Sequence, residues 1–273
     1  FSFIRLSHMK YYGNDLKIMG MDQYIQQLIS LPEKVANRMK LNFCKAFKAD
    51  AYAANLLMSI LKTIHIIVHI NGREKTNIYG FSFISKLISK IAGNFKTSPA
   101  IKCAIKVLST QAVQTTYHQE SIRDIMKCLQ RNAIEIVAVE AFGNETRKQC
   151  LLKMFNGICK SSIEWKFVLT KKLPLLTYIN DDLLIDNLVF FIAHEDISLM
   201  DDLLMEMLAI WSTKTHISDT PFEQHFYVTK FIVLMVAYLP NLKERAADIR
   251  KKLFNGVQMH FSSSDDKLRA LGM

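Results

Sequence analysis

FYVTKFIVLMVAYL, residues Phe226 to Leu239, is apolar on nearly every side, with Lys230 its single charge. A helix of that pattern must be covered by neighbours on more than one face, so it reads as an inner helix. The segment after it, Lys243 to Lys252, is charged on one side and apolar at Ala246 and Ile249, a stripe that continues to Leu253. Inner and outer helices in alternation are what stacked helical pairs produce, because each pair covers the next and leaves a surface free. Asp219-Thr220-Pro221 offers a cap and a first-turn proline before the inner helix, and Pro240 ends it.

The same grammar runs through the rest of the chain. Ser98-Pro99 precedes the apolar positions Ile101, Ile105 and Leu108, and Leu31-Pro32 and Leu173-Pro174 read as further helix boundaries. Leu204, Leu208 and Trp211, with Met200 and Met207 beside them, keep a period near 3.6. Ile66 to Ile70 and Ile134 to Val139 are β-branched enough for strands, yet each continues a longer helical register without turn residues on both sides, and both read as helix. Nine glycines and five prolines in 273 residues are too few for a sandwich or barrel, which needs a turn signal at short intervals. The expected fold is all-α, a right-handed helical-repeat solenoid with degenerate repeats, since no fixed sequence period is visible; an irregular helical bundle is the alternative. Residues 1–20 are poorly readable, and Ser7-His8-Met9 looks like a cloning remnant. The solenoid is placed over 21–261, and 262–273 reads as the start of a further helical element.

Half the residues are hydrophobic, enough for a large core, and the net charge is +10. The charge is regional. From Lys62 to Arg131 there are eleven basic residues against Glu74, Glu120 and Asp124, whereas Asp181 to Glu206 holds eight acidic residues and no lysine or arginine. Such blocks are either solvated helix faces or docking surfaces for complementary fields. Five widely spaced cysteines (Cys44, Cys103, Cys128, Cys150, Cys159) in apolar helical surroundings read as reduced, buried thiols. With no secretory leader over Phe1 to Lys10, the expected location is cytoplasmic and nuclear. The longest continuous apolar run, Phe231 to Leu239, is about half of the roughly 20 residues that span a bilayer, so no membrane span is expected.

Motifs for chemistry are scarce. Neither G-x-G-x-x-G nor G-x-x-x-x-G-K-[ST] occurs, so no phosphate cradle is legible, and no G-x-S-x-G or C-x-x-C is present. His65 and His69 stand at i, i+4, a spacing able to chelate a metal, but isoleucine and valine surround them and packing is the favoured reading. His194-Glu195-Asp196 is polar enough for acid–base work, yet sits where a helix would end and a histidine would meet the negative end of its dipole. Tyr79, Phe81, Phe83 and Phe95 lie in the basic stretch, but at apolar helical positions rather than on a stacking platform. Ser262-Ser263-Ser264-Asp265-Asp266 matches acidophilic kinase sites, or a cap in which Ser263 or Ser264 accepts from free N–H groups with the aspartates in the first turn. No catalytic, cofactor-binding or metal-binding residue is assigned, and no enzyme is expected.

Gly256-Val257-Gln258, followed by Ser262-Ser-Ser-Asp-Asp-Lys-Leu-Arg-Ala-Leu-Gly-Met273, resembles the telomere length regulation protein family. Leu31-Pro32-x-x-Val35-Ala36-Asn37-Arg38-Met39, Phe83-Ile84-Ser85-Lys86-Leu87-Ile88-Ser89-Lys90 and Thr220-Pro221 through His225 are similar to the same family. The resemblance covers Leu31 to Met273 in islands. It implies an N-terminal solenoid of HEAT-like repeats that stops where a second helical domain would begin. It also implies a non-enzymatic subunit of the TTT co-chaperone complex, partnered by the two other TTT subunits, by phosphoinositide-3-kinase-like protein kinases, and by a heat-shock chaperone with its adaptor. The family's phosphoserine motif is not carried onto Ser262 to Ser264. Two other readings share the fold: a protein binding telomeric DNA through the basic stretch, and a transport adaptor recognising cargo peptides.

Overall fold

A computed structural model describes residues 15–39, 44–74, 81–96, 98–238 and 242–272. Ser7 to Met9, Tyr79 and Pro240, singled out above, lie outside the described residues. Among the described residues there are helices and no strands, in agreement with the expected all-α helical-repeat fold. The chain divides into two compact units, one ending at Glu164 and the other beginning at Trp165.

In the first unit, helices α1 (Asp15–Ile29), α2 (Leu31–Met39), α3 (Ala49–Glu74), α4 (Ser82–Asn94), α5 (Pro99–Gln111), α6 (Thr116–Lys127), α7 (Arg131–Phe142), α8 (Lys148–Phe155) and α9 (Ile158–Ser161) follow in chain order. Helix α3 packs on α5, α5 on α7 and α6 on α8, the next but one along the chain, while α4 packs chiefly on α7 and α1, so that successive helices lie in layers as stacked helical pairs do. The start of α5 follows its sequence signals: Ser98 Oγ accepts from Ala100 N at 3.4 Å, Pro99 occupies the first turn, and Ile101, Ile105 and Leu108 are buried. Both β-branched stretches are helical, within α3 and α7. Helix α3 is by length and composition able to cross a bilayer over Ala49–Arg73, which a count of continuous apolar runs overlooked because Lys62 and the histidines interrupt them. Half of that window is buried, with Ile60, Ile64 and Ile67 at 1% exposure or less, as in a core helix.

The second unit contains most of α10 (Ile163–Phe167), a π-helical segment Val168–Thr177, α11 (Asp182–Glu195), α12 (Ile197–Trp211), α13 (Lys214–Asp219), α14 (Phe222–Tyr238), α15 (Leu242–Phe261) and α16 (Asp266–Leu271). Helix α14 packs on α11 and α12, and α15 packs on α12, α13 and α16. One boundary was misread. Pro174 lies inside the π segment, and the helical path ends four residues later at Tyr178, which takes a left-handed φ of 48°. In a π turn the backbone bonds to i+5, so the carbonyl that would strike the proline ring in an α-helix is displaced. The Leu173 carbonyl accepts from the Tyr227 hydroxyl at 2.6 Å and from Thr177 Oγ1 at 3.1 Å. Tyr227 is fully buried, and that burial raises its phenol well above the ordinary range.

A polar cluster sits within this apolar unit. The Thr220 hydroxyl lies 2.7 Å from the His216 carbonyl oxygen, 3.0 Å from His216 Nδ1 and 2.7 Å from His225 Nε2, and the last nitrogen also lies 3.1 Å from the His216 carbonyl. A carbonyl only accepts, so His225 Nε2 carries the proton and Nδ1 is the lone-pair nitrogen, buried with no partner. His260 repeats the pattern: Nδ1 donates to the Gly256 carbonyl at 2.8 Å and Nε2 is buried without a partner. Protonating either ring would bury a second N–H with no acceptor beside another imidazole. Burial, followed by the neighbouring His216 and His260, lowers His225 to about 4, and burial lowers His216 and His260 as well.

The Trp211 indole ring stacks on His260 with centroids 4.5 Å apart, and its Nε1 donates to Thr229 Oγ1 at 3.0 Å. Gly256 lets α15 approach this ring, since a Cβ built there would stand 2.2 Å from Trp211 Cε3. Gly256→Ala is expected to lower the melting temperature by several degrees despite the better helix former: overpacking costs about 1–3 kcal/mol against about 1 kcal/mol of gained propensity. Thermal unfolding followed by circular dichroism measures it. For the histidines, folded values below the ordinary 6.5 mean that the unfolded chain binds protons first. Their stability contribution is complete above that value and is lost as pH falls toward about 4. His225→Gln should flatten the fall in urea-unfolding free energy across this window; an unchanged pH profile would refute the assignment.

Candidate functional site

Two open apolar grooves lie among the described residues, one in each unit. In the second unit, Asp181 caps α11 by accepting from Leu184 N at 2.9 Å, which places Asp182 in the first turn and sets Ile185 and Asp186 on one face. Across from them α14 presents Phe226, Thr229, Lys230, Val233 and Leu234, at the i, i+3, i+4, i+7, i+8 spacing of a single helix face. The groove between has a volume of about 470 Å³. The expected cover on more than one side of α14 is therefore incomplete: Tyr227, Val228, Phe231, Ile232 and Met235 are buried, but Val233 is 61% exposed. Lys230 crosses the groove with its Nζ 4.4 Å from the Phe226 ring centroid, 3.0 Å from Asn180 Oδ1 and 2.5 Å from Asp182 Oδ1.

The first unit has a groove of about 440 Å³ between α3 and α5, lined by Leu57, Met58, Leu61, Cys103, Ala104 and Val107 among others. Met58 is 55% and Val107 40% exposed. On the other side of α5, Lys102, Lys106, Ser109, Glu140, Asn144 and Glu145 border a smaller polar hollow of about 230 Å³. Glu145 is buried there and is already served: Ser109 Oγ donates to it, and Arg147 donates from its backbone N at 3.0 Å and from Nε at 3.1 Å. Burial pushes its carboxyl up, but the bonds from Arg147 and Ser109 outweigh that and hold it below the usual range. This is the signature of a structural carboxylate.

The residues weighed for chemistry are dispersed. His65 and His69 are exposed on α3; the nearest ring to His65 is His118, with centroids 6.1 Å apart. Among the described residues no group of three or more His, Cys, Asp or Glu is arranged to hold a metal ion. His194 lies in the last turn of α11, its Nδ1 2.8 Å from the Phe190 carbonyl, and Asp196 caps α12 through Ser198 N at 3.0 Å, so this triplet is helix punctuation. None of the five cysteines is in a disulfide, but only Cys150 and Cys159 are buried as expected; Cys44, Cys103 and Cys128 are exposed, Cys103 because it stands one position off the apolar stripe of α5. Phe81 and Phe83 are buried and unavailable to stack on bases. The cap before α16 is Asp265, accepting from Lys267 N at 2.8 Å, with Ser263 Oγ accepting from Asp265 N at 3.2 Å; the cap was expected one or two residues earlier.

The grooves themselves were not singled out from sequence. Their only signal was Val233, Met58 and Val107 lying just outside the buried stripe of their helices. The Trp211–Gly256 contact and the closure of the histidine cluster by His260 also went unread, since the first joins residues 45 positions apart and the second, to His225, residues 35 apart, with no local motif shared.

No protein-family model matches the chain. The telomere length regulation protein TEL2 homolog of Mus musculus is 21% identical over 253 residues, covering 91% of this chain and 30% of that protein. Its Homo sapiens counterpart is 20% identical over 261 residues, covering 94% of this chain and 31% of that protein. The chain spans about a third of the length of these curated relatives. Along nine-tenths of its residues, then, the chain is similar to the telomere length regulation protein family.

Proposed function

We propose that this chain is a non-catalytic, partner-binding part of a telomere length regulation protein, acting as a subunit of the TTT co-chaperone complex. The observation that carries the reading is similarity to two telomere length regulation proteins along more than 90% of the chain. Two apolar grooves on a helical-repeat frame suit a protein that acts by holding others. In this reading the partners are the two sister TTT subunits, phosphoinositide-3-kinase-like protein kinases, and a heat-shock chaperone with its adaptor. Work on newly made kinases would place the chain in cytoplasm and nucleus and link it to telomere maintenance and DNA-damage signalling. Binding alone performs the task, and no side chain is assigned a chemical step.

Co-purification tests the proposal. The tagged chain, and the longer protein that contains it, should each retain at least one sister subunit or client kinase from a reconstituted mixture. Failure of both to retain any of them would end this reading.

A further inference from the structure

We propose that the groove between α11 and α14 takes one face of an amphipathic helix from a protein partner, a helix whose apolar stripe is bordered by lysine or arginine. The proposal deepens the partner-binding reading and rests on it for its biological setting. Its chemistry is carried by three features of the groove.

The floor is apolar and unfilled. Ile185, Phe226 and Leu234 line it, and Val233 keeps 61% of its surface in solvent on a helix whose opposite face is buried. Two neighbouring helices with side chains at i, i+3, i+4 and i+7 form the kind of trough into which a third helix lays its apolar stripe.

The rim is acidic. Asp181 and Asp182 are exposed at the start of α11, with the Asp182 side chain 83% exposed, and Asp186 stands one turn on. No lysine or arginine occurs from Asp181 to Glu206. That field favours a cationic partner and opposes phosphates, whether of nucleic acid or of an anionic membrane.

Lys230 displays the recognised chemistry within the molecule. Its aliphatic stem crosses Phe226 and its ammonium rests on Asp182 and Asn180, a cation held over an aromatic face beside a carboxylate. A lysine or arginine flanking an incoming apolar stripe meets the carboxylate surface that Lys230 leaves in solvent, at Asp181 and the 83% exposed Asp182. This is why the partner is a basic helix and not simply an apolar one.

Two labelled helical peptides with the same leucine stripe, one bordered by lysine and one by glutamate, are titrated with the full chain by fluorescence anisotropy. The lysine peptide should bind about ten-fold or more tightly than the glutamate peptide, with the gap closing as salt rises. Val233→Arg should weaken the lysine peptide by about ten-fold or more. Asp182→Asn with Asp186→Asn should bring the two peptides within about three-fold of each other. Val233 is exposed, so an unchanged melting curve separates loss of the site from loss of the fold. Equal binding of the two peptides, binding of neither, unaltered affinity in Val233→Arg, or capture of phosphatidylserine vesicles instead of peptide would each overturn the proposal. Peptide binding with failed co-purification would sink only the co-chaperone reading; co-purification without peptide selectivity would sink only this one.

Discussion

Burial of α14 is the constraint around which residues 165–273 are arranged. A helix that is apolar round its circumference cannot rest on a single neighbour. Tyr227 and Phe231 are fully covered by what packs on it, and each such side chain contributes about 1.5–3 kcal/mol. Covering Tyr227 also commits its hydroxyl, because an unbonded buried O–H costs about 1–3 kcal/mol. The Leu173 carbonyl supplies the acceptor from a segment wound as a π-helix. The burial of one aromatic and the irregular winding of another helix are thus a single arrangement. What that arrangement leaves uncovered on α14 is the groove.

Residues up to Glu164 meet the same demand by different means. There Ser82–Asn94 is the most enclosed helix, with Phe83, Ile84, Leu87, Ile88 and Ile91 buried. The buried polar group is a carboxylate fixed by an arginine two residues away, instead of a histidine cluster assembled from three helices. A carboxylate held below its usual range keeps its charge in ordinary conditions, whereas imidazoles with lone-pair nitrogens facing apolar surroundings keep theirs off.

Local signals were legible wherever the interaction is local. Ser98-Pro99 opening α5, Ile134 to Val139 as helix and His194 at a helix end all follow from neighbours within a turn. The reading failed where a distant residue decides. Pro174 signals a boundary by itself, and the π winding is what makes an interior proline tolerable. Cys103 sits in an apolar run, Ile101-Lys-Cys-Ala-Ile105, yet Ile101, Ala104 and Ile105 take the buried side and leave the thiol outside. The grooves were illegible because periodicity tells which side of a helix is apolar and not whether a neighbour arrives to cover it. The glycine of Gly256-Val257-Gln258 was visible as part of a resemblance, and its reason became visible only with Trp211 against it.

The π winding of Val168–Thr177 has a bearing on how this stretch tolerates insertions and deletions. An α-helix turns about 100° per residue and a π-helix turns less, so a deletion that changes the winding here alters the direction in which its side chains and carbonyls point. Val168, Leu169, Leu173 and Leu175 are all buried, and Leu173 must also present its carbonyl to Tyr227. A deletion that restored regular α winding would keep the composition and the apolar character while turning that carbonyl away from the phenol. The length of this segment is held more tightly than the identity of most residues in it.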